Sequence, residues 1–111
     1  MTTKVLDNVK EMLGISSDDT AFDNELFLFV NMSLDRVNQV SEKNFTGTMK
    51  LSSVNDVWST VFGEDPCESI KTYIYINVKL LFDPPQSSYL LDALNRQKEE
   101  LEFRIQVATK N

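Results

Sequence analysis

Residues 73–105, from Tyr73 to Ile105, read YIYINVKLLFDPPQSSYLLDALNRQKEELEFRI, and the reading of this stretch decides the fold. Its first ten residues are apolar on almost every side. Read as a strand, Ile74, Ile76, Val78, Leu80 and Phe82 alternate with Tyr75, Asn77 and Lys79. Read as a helix, the segment is apolar nearly all round and would lie at the centre of the core. The run from Glu68 to Phe82 is longer than a typical strand, which favours a helix, but periodicity alone does not separate the two. Asp83-Pro84-Pro85 closes either element, because the residue before a proline leaves the α region. Ser87 or Ser88 then caps a last helix with an expected core stripe of Leu90, Leu94, Leu101, Ile105 and Ala108. Arg96–Glu100, Lys98–Glu102 and Glu100–Arg104 are opposite charges four residues apart, a spacing that supports a helix. Tyr89, Phe103 and Val107 fall off the stripe.

Toward the N-terminus, Val5, Leu6, Val9, Met12 and Leu13 repeat at helical spacing, and Gly14 suits a helix C-cap. Ser16-Ser17-Asp18-Asp19 is an N-cap cluster whose carboxylates favour a helix start. A long second helix is expected from about Asp19 to Glu42, with Phe22, Leu26, Phe29, Ser33, Val37 and Val40 as one stripe. Leu28 and Met32 lie on a different face. Residues 43–53 lose the pattern, and Phe45-Thr46-Gly47 reads as a turn or a short extended piece. Val54, Val57, Trp58, Val61 and Phe62 then predict a short helix ending at Gly63. Ser53 and Asp56 form a weak capping box before it. Pro66 suits the opening of the next element. The last few residues, about 104–111, are expected to be a flexible tail.

The chain has 111 residues, 41% of them hydrophobic, which fits one domain with a modest core. With 17 acidic and 11 basic residues the net charge is -6, so sequence-independent nucleic-acid binding is disfavoured. There is no histidine, and this removes serine triads, Cys-His dyads and His-containing zinc sites from a single chain. The only cysteine, Cys67, lies among Glu64, Asp65 and Glu68, which disfavour a thiolate. Gly14, Gly47 and Gly63 are isolated and build no phosphate loop. The acidic groups at 18–25, 64–68 and 99–102 sit at helix starts or among partner cations and have no metal-ligand spacing. No cofactor, metal or catalytic residue is expected. No secretion signal precedes Lys4 and no apolar run approaches the roughly 20 residues of a membrane span. The expectation is an intracellular protein in which the sequons at Asn31 and Asn44 have no role.

Three stretches resemble the head–tail connector (adaptor, or head completion) proteins of tailed bacteriophages. Lys4-Val5-Leu6 through Gly14-Ile15 and Ser-Ser-Asp-Asp resembles the family's opening helix and acidic turn. The long second helix followed by Asn44-Phe45-Thr46-Gly47 resembles its second helix and turn. Tyr73–Phe82 with Asp83-Pro84-Pro85 and then Ser88–Arg104 resembles its last two helices, and tips the ambiguous segment to helix. The fold this implies is all-α, a small bundle of four main helices plus one short helix, with a loop or short extended segment around 43–53. Residues 48–66, including the Trp58 segment, are not covered by the resemblance. The family implies a structural protein of the virion neck, assembled in the host cytoplasm. It forms a homo-oligomeric ring, often a dodecamer, below the capsid portal. There it extends the DNA channel, helps retain packaged DNA and receives a tail-side stopper or completion protein.

Candidate roles follow. Leu28, Met32 and Phe103 are hard to bury in one small bundle and are candidate subunit-interface residues. The family's C-terminal region engages the portal, which makes Phe103, Arg104, Ile105 and Val107 candidate docking residues. Asp18, Asp19, Asp23 and Glu25 are candidate channel-facing acids that would let DNA pass without specific binding. A competing reading is a small acidic binding module, an inhibitor or DNA mimic acting by stoichiometric binding to a basic partner. An enzyme would have to be a carboxylate-only metal hydrolase.

Overall fold

A computed structural model describes residues 3–110. Five helices follow one another: α1 (Val5–Leu13), α2 (Asp23–Val40), α3 (Trp58–Phe62), α4 (Glu68–Phe82) and α5 (Ser88–Ala108). No strand occurs among the described residues. Lys4 and Val57 make an isolated antiparallel bridge that ties the N-terminal extension to the approach to α3. The all-α bundle of four main helices and one short one is therefore the fold, and the ambiguous stretch before Asp83 is a helix.

α4 is the centre of the bundle. Ile70, Tyr73, Ile74, Ile76, Asn77 and Val78 are all buried, because neighbours cover it from several sides. α2 and α5 flank it and α1 packs against both α2 and α4. α2 runs antiparallel to α4: Ser33 meets Asn77, while Arg36, further along α2, reaches the Glu102 carboxylate that also takes Tyr73. α2 and α5 run parallel, since Arg36 meets Glu102 and Glu42 meets Thr109.

The ends of the elements follow local chemistry. Gly14 closes α1 in the left-handed region at φ 79, and the Gly14 and Ile15 N–H groups reach back to the Glu11 and Lys10 carbonyls. α2 is shorter than the sequence predicts. The Asp19 carboxylate accepts from the Ala21 N–H in a preceding turn, and the helix starts only at Asp23. At its other end Ser41 is already extended, with its hydroxyl donating to the Val37 carbonyl. Ser87 caps α5 by accepting from the Leu90 N–H.

Residues 43–57 are irregular yet held. Asn31 on α2 accepts from the Leu51 N–H at 2.6 Å and donates to the Leu51 carbonyl at 3.3 Å, replacing a strand partner with one side chain. Asp56 accepts from the Ser52 and Ser53 N–H groups, so this carboxylate stabilises a turn and not a helix start. As a result the short helix begins at Trp58, and Val54 is 44% exposed where the sequence pattern would place it in the core. Gly47 lies so close to the Val61 carbonyl and the Gly63 N–H that a Cβ would collide with backbone. Two turns thus cross in close backbone contact, and nearby Phe62 meets Phe45 edge-on and Trp58 at a tilt.

Three further expectations are corrected. Leu90 is 53% exposed and Ala108 is also exposed, so the core stripe of α5 is its second half, centred on Leu101 and Ile105. Phe22 is 39% exposed because it precedes α2 instead of lying within it. Of the three charge pairs expected along α5, Glu100–Arg104 forms at 2.7 Å. Arg96–Glu100 and Lys98–Glu102 do not form: Glu100 is paired with Arg104, and Glu102 is held by Arg36 and Tyr73. Charge-assisted bonds in a partly buried site outweigh an exposed pair worth a few tenths of a kcal/mol.

Candidate assembly surfaces

The exposed apolar residues of α2 and α5 follow from how the two helices turn their side chains. On α2, Leu26, Val30, Ser33, Leu34 and Val37 point into the core. Arg36 turns sideways to α5, and Leu28 and Met32 fall opposite the core, 57% and 48% exposed. On α5, Leu101 and Ile105 point inward. Glu102 and Gln106 turn sideways to α2, and Phe103 and Val107 fall opposite the core. The two helices are parallel and bonded side by side. Leu28 and Met32 lie on α2 before the level of the Arg36–Glu102 pair, and Phe103 and Val107 lie on α5 beyond it, so the two exposed apolar pairs stand on either side of that ion pair along the helix axes.

That pair is part of a three-helix clamp. The Glu102 carboxylate accepts from the Tyr73 hydroxyl at 2.7 Å, from Arg36 Nη2 at 3.2 Å and from Arg36 Nε at 3.4 Å. Burial, the largest single influence on Glu102, pushes its pKa up. The bonds from Tyr73 and Arg36, with the Arg36 and Lys98 charges, outweigh burial and hold it below the ordinary value. Burial and then the bond to Glu102 push the Tyr73 hydroxyl well above its ordinary value. The bond to Glu102 raises Arg36. Nothing in this arrangement places a base or nucleophile at a cleft, and its chemistry is that of a structural brace. Asn77 and Ser33 form a second brace below it, with Asn77 donating to the Ser33 hydroxyl and that hydroxyl donating to the Phe29 carbonyl.

Residues 104–109 belong to α5 and its C-cap. The helix continues through residues 104–108, and the Thr109 hydroxyl accepts from the Glu42 N–H and donates to the Ile105 carbonyl. Of the candidate docking residues, Phe103, Arg104 and Val107 are exposed, whereas Ile105 is completely buried and belongs to the core. A half-open cavity of about 110 Å³ lies beside this end, between Phe45, Pro66, Cys67, Ile70, Ala108 and Thr109, with the Lys43–Glu64 ion pair at its edge. It is well below the size of an ordinary small-molecule site.

The four candidate acids do not act as one group. Asp23 pairs with Lys10, whose ammonium is 2% exposed and also donates to the Asp19 carbonyl. Asp18, Asp19 and Glu25 are exposed, and among the described residues no ion pair engages them. Sequence reading missed the buried Lys10, although its place beside Leu6, Val9 and Leu13 on one helical face marked it as a cation drawn into the core. It also missed the clamp, since no local pattern links Arg36, Tyr73 and Glu102. Among the described residues no group of three or more His, Cys, Asp or Glu side chains is arranged to hold a metal ion. Among the described residues no helix is long and apolar enough to cross a membrane.

Comparison with protein-family models matches residues 5–111 to a family described as phage connector protein. The comparisons with curated proteins and with solved structures found no match.

Proposed function

The chain belongs to the phage connector proteins, a family of structural proteins at the junction of phage head and tail, and from that premise we propose that it assembles into a ring below the capsid portal as an adaptor in the virion neck. The single observation that supports assembly is the set of exposed apolar residues on α2 and α5. Leu28 and Met32 on α2 and Phe103 and Val107 on α5 are large apolar side chains left exposed on two parallel helices, and exposed apolar groups of this size suit a protein interface. A ring needs a heterologous contact, in which these residues of one copy meet a different surface of the next. Leu28, Met32 and Phe103 are the proposed subunit contacts.

Phe103, Arg104 and Val107, with the segment 104–111, are proposed to engage the portal. Ile105 supports them from beneath as a core residue. The ring extends the DNA channel, and a net charge of -6 suits a passage that DNA must traverse without sticking, because carboxylates repel phosphate. The role is non-enzymatic. The competing acidic inhibitor is disfavoured by these exposed apolar residues, which suit a packed interface more than a mimic of a hydrated, charged backbone.

The test is self-association of Met32→Asp and Phe103→Asp variants. Both sites are exposed, so the variants should fold with unchanged melting temperature. The expected result is loss of the high-mass species in sedimentation velocity and loss of portal capture by Phe103→Asp. Variants that assemble like the parent chain would remove these residues from the interface.

A further inference from the structure

Lys10 is buried beneath a turn that is itself in water. It lies in the last turn of α1 and is 2% exposed, whereas residues 16–21, which run past it, are all exposed. Its ammonium donates to the Asp19 carbonyl at 2.9 Å and to the Ser17 carbonyl at 3.5 Å, and it pairs with the Asp23 carboxylate. Three N–H donors thus meet three oxygens. The other hydrogen bonds of residues 16–21 stay local. The Asp18 and Asp19 N–H groups donate to Ser16, the Ala21 N–H donates to the Asp19 carboxylate, and the Asp23 N–H donates to the Thr20 carbonyl. Among the described residues, Lys10 is therefore the only polar tether from the middle of this turn to the body of the bundle. The ends of the turn are held by packing instead. Ile15 is half-buried against the core, and Phe22 meets Phe82 edge-on with ring centroids 5.2 Å apart.

We propose that residues 16–21 form a strap latched by the Lys10 ammonium, and that this strap opens and closes independently of the bundle. Taking an ammonium and a carboxylate out of water is costly, and their attraction offsets that cost only where further bonds complete the site. The Ser17 and Asp19 carbonyls are those bonds, so closing the strap and burying Lys10 are one event. Opening breaks little else. Residues 16–21 are already in solvent, and segments with few buried apolar contacts open at low free energy while the rest of the fold stays intact. Asp18 and Asp19 are exposed and in no ion pair among the described residues, so their mutual repulsion favours the open strap. The two states differ in what they show to solvent. The closed strap hides one cation and holds Asp18 and Asp19 in fixed positions. The open strap bares Lys10, frees the Asp23 carboxylate and lets the two acids move. This device does not depend on ring assembly.

The first test is competitive acylation of the lysines of the full chain, read by mass spectrometry, with Lys50 as an exposed reference in no ion pair among the described residues. Lys10 should react at least about tenfold more slowly than Lys50, and its rate should stay flat in low urea, as a local opening requires. Lys10 reacting as fast as Lys50 would show that no latch is closed. A Lys10 rate that rises with urea in step with global unfolding from the outset would show that the strap opens only with the bundle, and either result overturns the proposal. The second test is hydrogen exchange in Lys10→Met combined with Asp23→Leu, which removes the latch together with the charge it would leave stranded. The Asp19 and Ala21 amides should exchange about tenfold faster than in the parent chain while the amides of α4 keep their protection. Unchanged exchange at Asp19 and Ala21 would remove Lys10 as the latch. A double variant that fails to fold leaves the decision with the acylation of the parent chain, which needs no substitution.

Discussion

A few polar side chains fix how the helices sit. Tyr73, Arg36 and Glu102 join α4, α2 and α5 through one carboxylate. Replacing Tyr73 by Phe removes one bond to a charged acceptor, and urea denaturation should show a loss of about 1.5–3 kcal/mol. The same clamp sets two pH limits. Glu102 is held below its unfolded value, so its contribution is present above the ordinary carboxylate range and is lost as pH falls through the lowered folded value. Tyr73 is raised from the ordinary 10.0, so its contribution is complete below that value and is lost as pH rises through the folded value. Stability measured across pH should therefore fall at both limbs, and Tyr73→Phe should flatten the alkaline one. Lys10 is the other decisive residue. Lys10→Met strands the partly buried Asp23 carboxylate and should cost about 3 kcal/mol, whereas Lys10→Met with Asp23→Leu should recover most of that loss.

At the scale of elements, the two halves of α5 differ. Leu101 and Ile105 are core residues, while Leu90 stands in solvent. Leu101→Ala should cost about 2–4 kcal/mol, and Leu90→Ala should change stability by less than about 0.5 kcal/mol. Equal losses at the two sites in thermal melts would contradict this division. Gly47→Ala should destabilise strongly, because the new Cβ meets the Val61 carbonyl and not a side chain that can yield. Most of this level was legible in the sequence. The stripe of α1, the Leu26, Ser33 and Val37 part of the α2 stripe, the stop at Asp83-Pro84-Pro85 and the Ser87 cap are local signals, and the structure has them, whereas Phe22 is exposed and Val30 and Leu34 are buried off the expected stripe. The surface placement of Leu28, Met32, Phe103 and Val107 was equally legible, since off-stripe apolar residues on two long helices have no room in a small core. What was not legible depended on contacts distant in the chain. The Leu90 repeat fits the α5 stripe, but that residue, in the first turn of the helix, is 53% exposed. Val54 fits the α3 pattern, but Asp56 spends its carboxylate on the Ser52 and Ser53 amides and the helix starts late. Glu102 fits a pair with Lys98, but Arg36 and Tyr73 reach it from other helices.

At the scale of the whole molecule, the exposed apolar residues Leu28 and Met32 on α2 and Phe103 and Val107 on α5 are the proposed contacts, with Phe103 shared between the subunit and portal proposals. A ring needs a heterologous contact between copies. The most direct test is the mass of the purified 12.7 kDa chain by light scattering, alone and after mixing with the portal of the same phage. The account predicts a species many times the chain mass, formed alone or on the portal, that is lost in Met32→Asp. A chain that stays monomeric and elutes apart from the portal would contradict it.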